Sequence, residues 1–169
     1  MDPREERLAS VARIFQTLHR IRFSEILEGG EGEAGLCLPE FTIVLCVDRM
    51  KAAGHGRVLV SDLVRELPSS PQAISKYLKL LEDKGYIKRS SVRFDRRSTE
   101  IELTETGRKA FLASKDRMNS FFHDIFSEVS DEELDKMIAF LDRICDAMMK
   151  KAFNVCPERS GSARIKTRV

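Results

Sequence analysis

The sequence predicts a mainly α fold with a small β-hairpin wing: a winged helix-turn-helix module on a helical dimerisation base. Three observations predict it. Residues 69–85, SSPQAISKYLKLLEDKG, form a sharply delimited amphipathic helix. Residues 86–103 follow as a hairpin with a guanidinium-rich tip, and long amphipathic segments flank both. The length of 169 residues suits one domain with a real core.

In chain order, residues 2–28 are expected to form the first helix. Asp2 is its N-cap, Pro3 stands in the first turn, and Glu5 completes a capping-box-like spacing. Leu8, Val11, Ile14, Phe15, Leu18 and Ile21 give it an apolar face wider than a narrow seam. The glycine-rich segment 29–35 ends it as a loop. A second helix begins near Pro39, carries Phe41, Val44, Leu45 and Met50, and stops at Gly54-His55-Gly56. Val58-Leu59-Val60 suffices for a stub of strand. Ser61 is expected to cap a short helix from Asp62 to Leu67, which Pro68 ends.

The next helix has its start and stop written into it. Ser70 can accept a backbone N–H, Pro71 sits where a missing N–H costs nothing, and Gly85 suits the left-handed position after the last turn. At about 100° per residue, Ile74, Tyr77, Leu78 and Leu81 share one side. Gln72, Ser75, Lys76 and Lys79 share the other, with Ser69 and Ser70 at the end. Alone, that outward face is accounted for by simple solvation. It is also an amide, a hydroxyl and two ammonium groups, which suit base edges and phosphates.

The hairpin decides between those accounts. From Lys76 to Arg97 there are eight Lys/Arg against three Asp/Glu, although the whole chain is only +2. The basic excess is therefore local, as a nucleic-acid footprint is. Thr99 to Leu103 alternate with the period of a half-buried strand, and Arg93, Asp95, Arg96 and Arg97 crowd the tip. A helix of this kind suits the major groove, and such a wing can put an arginine in the minor groove.

Beyond the wing, Thr104-Glu105-Thr106-Gly107 opens a long helix to about Phe126, with Phe111, Met118, Phe121, Phe122 and Ile125 as its stripe. Ser130-Asp131-Glu132-Glu133 is a capping box for the last helix. There Leu134, Ile138, Leu141, Cys145 and Met148 step as a heptad seam, flanked by Phe140 and Ile144. Packing within the chain is one use of that arc. A subunit interface is the expectation, because the helix-hairpin module is complete without these helices. Residues 154–169 read as a flexible basic tail. The organisation expected is one unit over 1–153, with 2–28 and 105–153 as dimerisation helices and 36–104 as the winged module.

These residues carry a family resemblance. Asp95-Arg96-Arg97-Ser98 followed by Ile101-Glu102-Leu103-Thr104-Glu105-Thr106-Gly107 resembles the D-x-R…LTxxG wing signature of the MarR family of bacterial transcription regulators. Val60-Ser61-Asp62-Leu63 and the Ser70–Gly85 helix are similar to that family's helix-turn-helix, and the likeness runs over roughly residues 5–152. It implies an obligate homodimer on a palindromic double-stranded DNA operator, most often as a repressor. It also implies that Arg97 reaches the minor groove while Asp95 holds the wing's arginines. Release then follows when a signal changes the spacing of the two recognition helices, which requires only a ligand preferring one spacing.

The signal is less legible. Metal sensing would want clustered ligands, and His19, His55 and His123 lie on separate elements, so no metal or other cofactor is expected. Cys37, Cys46, Cys145 and Cys156 form no CxxC pair. Cys46 and Cys145 read as small core residues, and Cys37 is the one candidate redox sensor. The expected effector is a small amphipathic or aromatic molecule between the helical base and the winged module, with Phe15, His19 and Phe41 lining the cleft. A cysteine-based regulator and a winged helix used only for protein contacts are the alternatives. No nucleophile–base constellation or phosphate loop suggests an enzyme. The N-terminus lacks an apolar signal core, and no apolar run approaches the ~18 residues of a membrane span. A cytoplasmic, nucleoid-associated protein with no membrane partner is the expectation.

Overall fold

The computed structural model describes residues 2–30, 34–92 and 95–155, with the side chains at positions 92, 95–97, 149 and 152–155 outside the description. Seven helices and one hairpin follow in the order α1 (Pro3–His19), α2 (Phe23–Glu28), α3 (Leu38–Ala52), α4 (Val60–Glu66), α5 (Pro71–Asp83), β1 (Ile87–Val92), β2 (Asp95–Leu103), α6 (Glu105–Ile125) and α7 (Asp131–Val155). The expected fold class is the one observed.

The first helix is where the sequence reading needs correction. Asp2 caps it as expected, accepting from the Arg4 N–H at 3.0 Å. The helix does not run to residue 28, however. It tightens at Arg20, whose N–H turns back to Leu18 and Thr17, and α2 starts afresh at Phe23. Tertiary packing breaks it, for neither proline nor glycine is present. The turn lets Phe23 meet Phe121 edge-on and Phe122 obliquely, with ring centroids 6.2 and 6.5 Å apart, and it buries Leu27.

The winged module holds the core. Leu36, Ile43, Val44, Val47, Val58, Leu63, Ile74, Leu78, Leu81, Ile87, Ile101 and Phe111 form one buried cluster drawn from α3, α4, α5, the hairpin and α6. Phe41 packs on Phe111 at its margin, centroids 5.4 Å apart. The stub of strand exists: Leu59 bridges Glu100, and the Ile101 N–H reaches the Val58 carbonyl at 2.9 Å. The cap of α4 is a second correction. The helix starts at Val60, so Ser61 lies inside its first turn. Leu59 is the N-cap, and the Asp62 carboxylate accepts its N–H at 3.0 Å. A carboxylate at the third helical position reaches back to the N-cap N–H, as in half of a capping box, and its charge suits the positive end of the helix.

α6 begins as the Thr-Glu-Thr-Gly sequence implies. Thr104 Oγ1 accepts from the Gly107 N–H at 3.0 Å and donates to the Gly85 carbonyl at 2.7 Å. The Ser130–Glu133 capping box is reciprocal, and Ser130's bonds to the Glu133 carboxylate hold that carboxyl below the usual carboxylate range. α7 continues to Val155, so the first two residues assigned to a tail are helical; residues 156–169, Cys156 among them, lie outside the described residues. The loop after α2 is tied at both ends. Arg117 donates to the carbonyls of Leu27, Glu28 and Ala34, and positions 31–33 lie outside the described residues.

α1 and α7 differ from the rest. Among the described residues, neither packs substantially on another element. Leu8, Val11, Ile14, Phe15 and Leu18 on α1 are 45–61% exposed; Ile138, Phe140, Leu141 and Met148 on α7 are 47–56% exposed. Cys145, expected in a core, is exposed for the same reason: its seam faces outward. No described helix is long and apolar enough to cross a membrane.

Candidate nucleic-acid interface

α5 presents the expected face. Ile74, Leu78 and Leu81 are buried in the cluster, and this anchors the helix along one side. Ser69, Ser70, Gln72, Ser75, Lys76 and Lys79 are all exposed on the other. The N-terminus is finished by Ser70, whose hydroxyl accepts the Ala73 N–H at 3.2 Å. Lys76 lies over the Tyr77 ring, 5.6 Å from its centroid, so its ammonium is held near the helix surface. The end of the helix is closed by Gly85 at φ +70°, a conformation that side chains with a Cβ rarely adopt. The Gly85 and Tyr86 N–H groups return to Glu82 and Leu81, both at 2.8 Å.

The hairpin continues from that turn. β1 and β2 pair antiparallel, Ile87 with Leu103 through Ser91 with Thr99, and the register shifts between Ser91 and Val92. Ion pairs tie it to its surroundings, among them Arg89 to Glu82 of α5 at 3.7 Å and Arg57 to Glu100 at 3.6 Å. Asp95, Arg96 and Arg97 take their places in β2 by backbone. Arg93 lies outside the described residues. The α5 residues and the hairpin arginines are thus consecutive along one ribbon of chain, whereas Phe15, His19 and Phe41 are not gathered. Phe15 and His19 are exposed on α1, which does not pack on α3, and Phe41 is engaged with Phe111.

The sensing candidates are placed as follows. Cys37 is the N-cap of α3 and half-buried; burial pushes its thiol pKa up, the Glu40 backbone N–H pulls it back, and the Glu40 carboxylate raises it again. Burial does the same to Cys46. His19, His55 and His123 are exposed on separate elements. Among the described residues, no three His, Cys, Asp or Glu side chains gather as metal ligands.

The sequence reading missed Glu40. It is 1% exposed, its Oε2 accepts the Cys37 N–H at 3.0 Å, and Lys84 Nζ reaches the same oxygen at 2.8 Å. The local signal is the spacing of an N-cap and a glutamate three residues on. Nothing local announces the partner 44 positions away.

A buried-faced helix with a polar outer surface, followed by a basic two-stranded wing, defines a winged helix-turn-helix protein. Residues 41–98 match the model of the MarR family. The HTH-type transcriptional regulator YwhA of Bacillus subtilis is 30% identical over 90 residues, which cover 53% of this chain and 65% of YwhA. YdgJ of the same organism is 33% identical over 84 residues, 50% of this chain and 51% of YdgJ. The likeness therefore spans less than two thirds of either relative. Among solved structures, the organohalide-sensing regulator RdhR-CbdbA1625 with 2,4-dichlorophenol bound superposes with a TM-score of 0.69 at 18% identity, over 96% of this chain and 90% of that one. The S. aureus MepR–DNA complex gives 0.64 at 20% identity, over 83% and 97%. At such identities the likeness is one of fold.

Proposed function

We propose that the chain is a sequence-specific, double-stranded-DNA-binding transcription regulator. It acts as a homodimer on a palindromic operator, as a repressor released by a small molecule. The observation that carries this reading is the outer face of α5. Gln72, Ser75, Lys76 and Lys79 stand exposed on a helix whose opposite side is locked into the core. Gln72 suits an adenine edge, the lysines suit phosphates, and Ser69 and Ser70 lie at the helix N-terminus, where phosphate is favoured. Arg93, Arg96 and Arg97 extend the positive charge to the wing for a minor groove, with Asp95 orienting them. That the related-fold protein MepR was solved with DNA supports the reading.

Homodimerisation is supported by the outward apolar faces of α1 and α7, large enough together to need a partner. Residues 36–104 would then be the DNA-binding module, 2–28 and 105–153 the dimer base, and 154–169 a basic tail. A two-fold dimer sets its recognition helices about one helical turn of DNA apart, roughly 34 Å. An effector that binds better at another spacing releases the operator by mass action. A small aromatic effector is consistent with the chlorophenol bound by RdhR-CbdbA1625. A gel shift on the DNA immediately upstream of the protein's own gene, with a scrambled duplex as competitor, is the test. A retarded band competed by specific DNA alone is expected; equal competition by both duplexes would refute sequence-specific binding.

A further inference from the structure

Glu40 and Ser114 are buried polar side chains, 1% and 0% exposed, and both lie on one chain of hydrogen bonds. Ser114 Oγ donates to the Leu27 carbonyl at the end of α2, at 2.8 Å, and accepts the Leu36 N–H at 3.1 Å. The next N–H along, that of Cys37, donates to Glu40 Oε2 at 3.0 Å. Lys84, the C-cap of α5, donates to the same oxygen at 2.8 Å. The path runs from α2 and α6 through the start of α3 to the end of α5. Thr104 holds that end from the other side, through the Gly85 and Tyr86 carbonyls.

We propose that Glu40 and Lys84 are specificity-determining positioning residues, a pin that fixes the tilt of α5 relative to α3. The proposal rests on the DNA-binding reading above. Glu40 is buried while Lys84 is exposed, at 2% and 43% for their side chains; such a pair adds little net stability, but two donors converging on Glu40 Oε2 give it one good geometry. Here that geometry has leverage. Gln72 stands twelve residues from Lys84, about 18 Å along a helix at 1.5 Å per residue. Ile74, Leu78 and Leu81 stay buried along the helix and restrict its freedom to a few degrees; a slack of about 3° at the pin still moves Gln72 by roughly 1 Å, enough to take a hydrogen bond out of range. Long lysines follow a phosphate through such a swing, whereas an amide cannot follow a base edge. Loosening the pin therefore erodes specificity and leaves non-specific affinity intact.

The test removes both charges together, as Glu40→Gln/Lys84→Met, so that no carboxylate is left buried and unpaired at position 40. The probes are a duplex selected from a random pool by the wild-type chain and a scrambled duplex, at two salt concentrations. The double variant is expected to melt near wild type and to bind the scrambled duplex with unchanged affinity and salt slope. Its selected-to-scrambled ratio falls by about tenfold or more, as it would if one base edge in each half-site went unread. Glu40→Gln alone, which keeps the acceptor, retains most of the ratio. Lys84→Arg, which keeps the charge but changes its shape and reach, lowers the ratio even if the double variant does not fold. A folded double variant with the full ratio overturns the proposal, as does an equal loss on both duplexes. Hydrogen exchange of residues 71–86 without DNA tests the pin separately: faster exchange in the double variant is expected, and unchanged exchange refutes it. A wild-type chain that enriches no sequence would instead refute the DNA-binding reading, while the exchange result still decides the pin.

Discussion

Replacing Gly107 by alanine should destabilise the protein, against the usual sign for a helical glycine. Elsewhere in a helix the exchange gains about 0.5–1 kcal/mol, because glycine loses more backbone freedom on folding. At Gly107 an added Cβ would run into the carbonyl oxygen of Tyr86, with that residue's carbonyl carbon and Cα close behind. These are backbone atoms, so no side-chain rotation relieves the clash. The same oxygen accepts the Thr104 N–H at 3.0 Å, and any shift strains that bond as well. Overpacking of this kind costs about 1–3 kcal/mol, and the strained hydrogen bond adds about 1 kcal/mol. Subtracting the propensity gain leaves about 1–3 kcal/mol of net destabilisation. For a chain of this size each kcal/mol shifts Tm by about 2–4 °C, giving a fall of roughly 2–12 °C. The assay is thermal unfolding by circular dichroism at one fixed protein concentration, because the Tm of the proposed dimer would depend on concentration. Gly56→Ala is the control, for a Cβ there meets nothing and the variant should melt at or slightly above wild type. A Gly107→Ala protein as stable as the Gly56→Ala control would show that the turn at Tyr86 does not constrain the start of α6.

Other expectations separate reading, assembly and sensing. Lys79→Ala should weaken selected and random duplexes alike and lower the salt slope by about 0.9 for each phosphate no longer neutralised. Gln72→Ala should cost about 1–3 kcal/mol at one base position per half-site, and equal losses for both variants on both duplexes would make α5 a charged surface and not a reader. Sedimentation at micromolar concentration should report about twice the 19.3 kDa chain, and Leu141→Asp should shift it toward the monomer. A monomeric wild type would remove the palindrome with the dimer. Because burial raises the Cys37 thiol pKa, its thiolate is scarce at neutral pH, and alkylation should accelerate only above the ordinary thiol range. DNA binding should then survive mild peroxide; release by peroxide that Cys37→Ser abolishes would put a redox switch in place of a small-molecule effector.

What can be read from the sequence is chemistry completed within a few residues. The start of α5 is legible because Ser70 and Pro71 finish it locally, and its end because Gly85 alone suits a φ of +70°. The Thr104–Gly107 and Ser130–Glu133 starts are legible for the same reason. The break after α1 is not, because its cause is Phe23 settling on Phe121 and Phe122, about a hundred positions later. The Ser61 cap fails because the helix starts earlier, with the Asp62 carboxylate reaching back to the Leu59 N–H.

The Glu40–Lys84 pin and the Cys145 seam show two further limits of local pattern. A glutamate three residues after a cap looks finished, so nothing in the pattern asks for a second partner; only folding brings Lys84 within 2.8 Å. An apolar stripe has the opposite property, for it announces that it must be covered without saying by what. Cys145 reads as a core residue because its neighbours on the seam are apolar, and the fold leaves that whole seam outside. The same periodicity buries Ile74, Leu78 and Leu81 of α5 within the chain and exposes Ile138, Leu141 and Met148 of α7. What distinguishes them is packing: α5 leads through a tight turn into a hairpin that folds back on its own core, whereas α7 packs substantially on no other described element. A helix so placed meets its apolar need most simply by pairing with the same face on another copy, and this is why the assembly expectation rests on topology as much as on hydrophobicity.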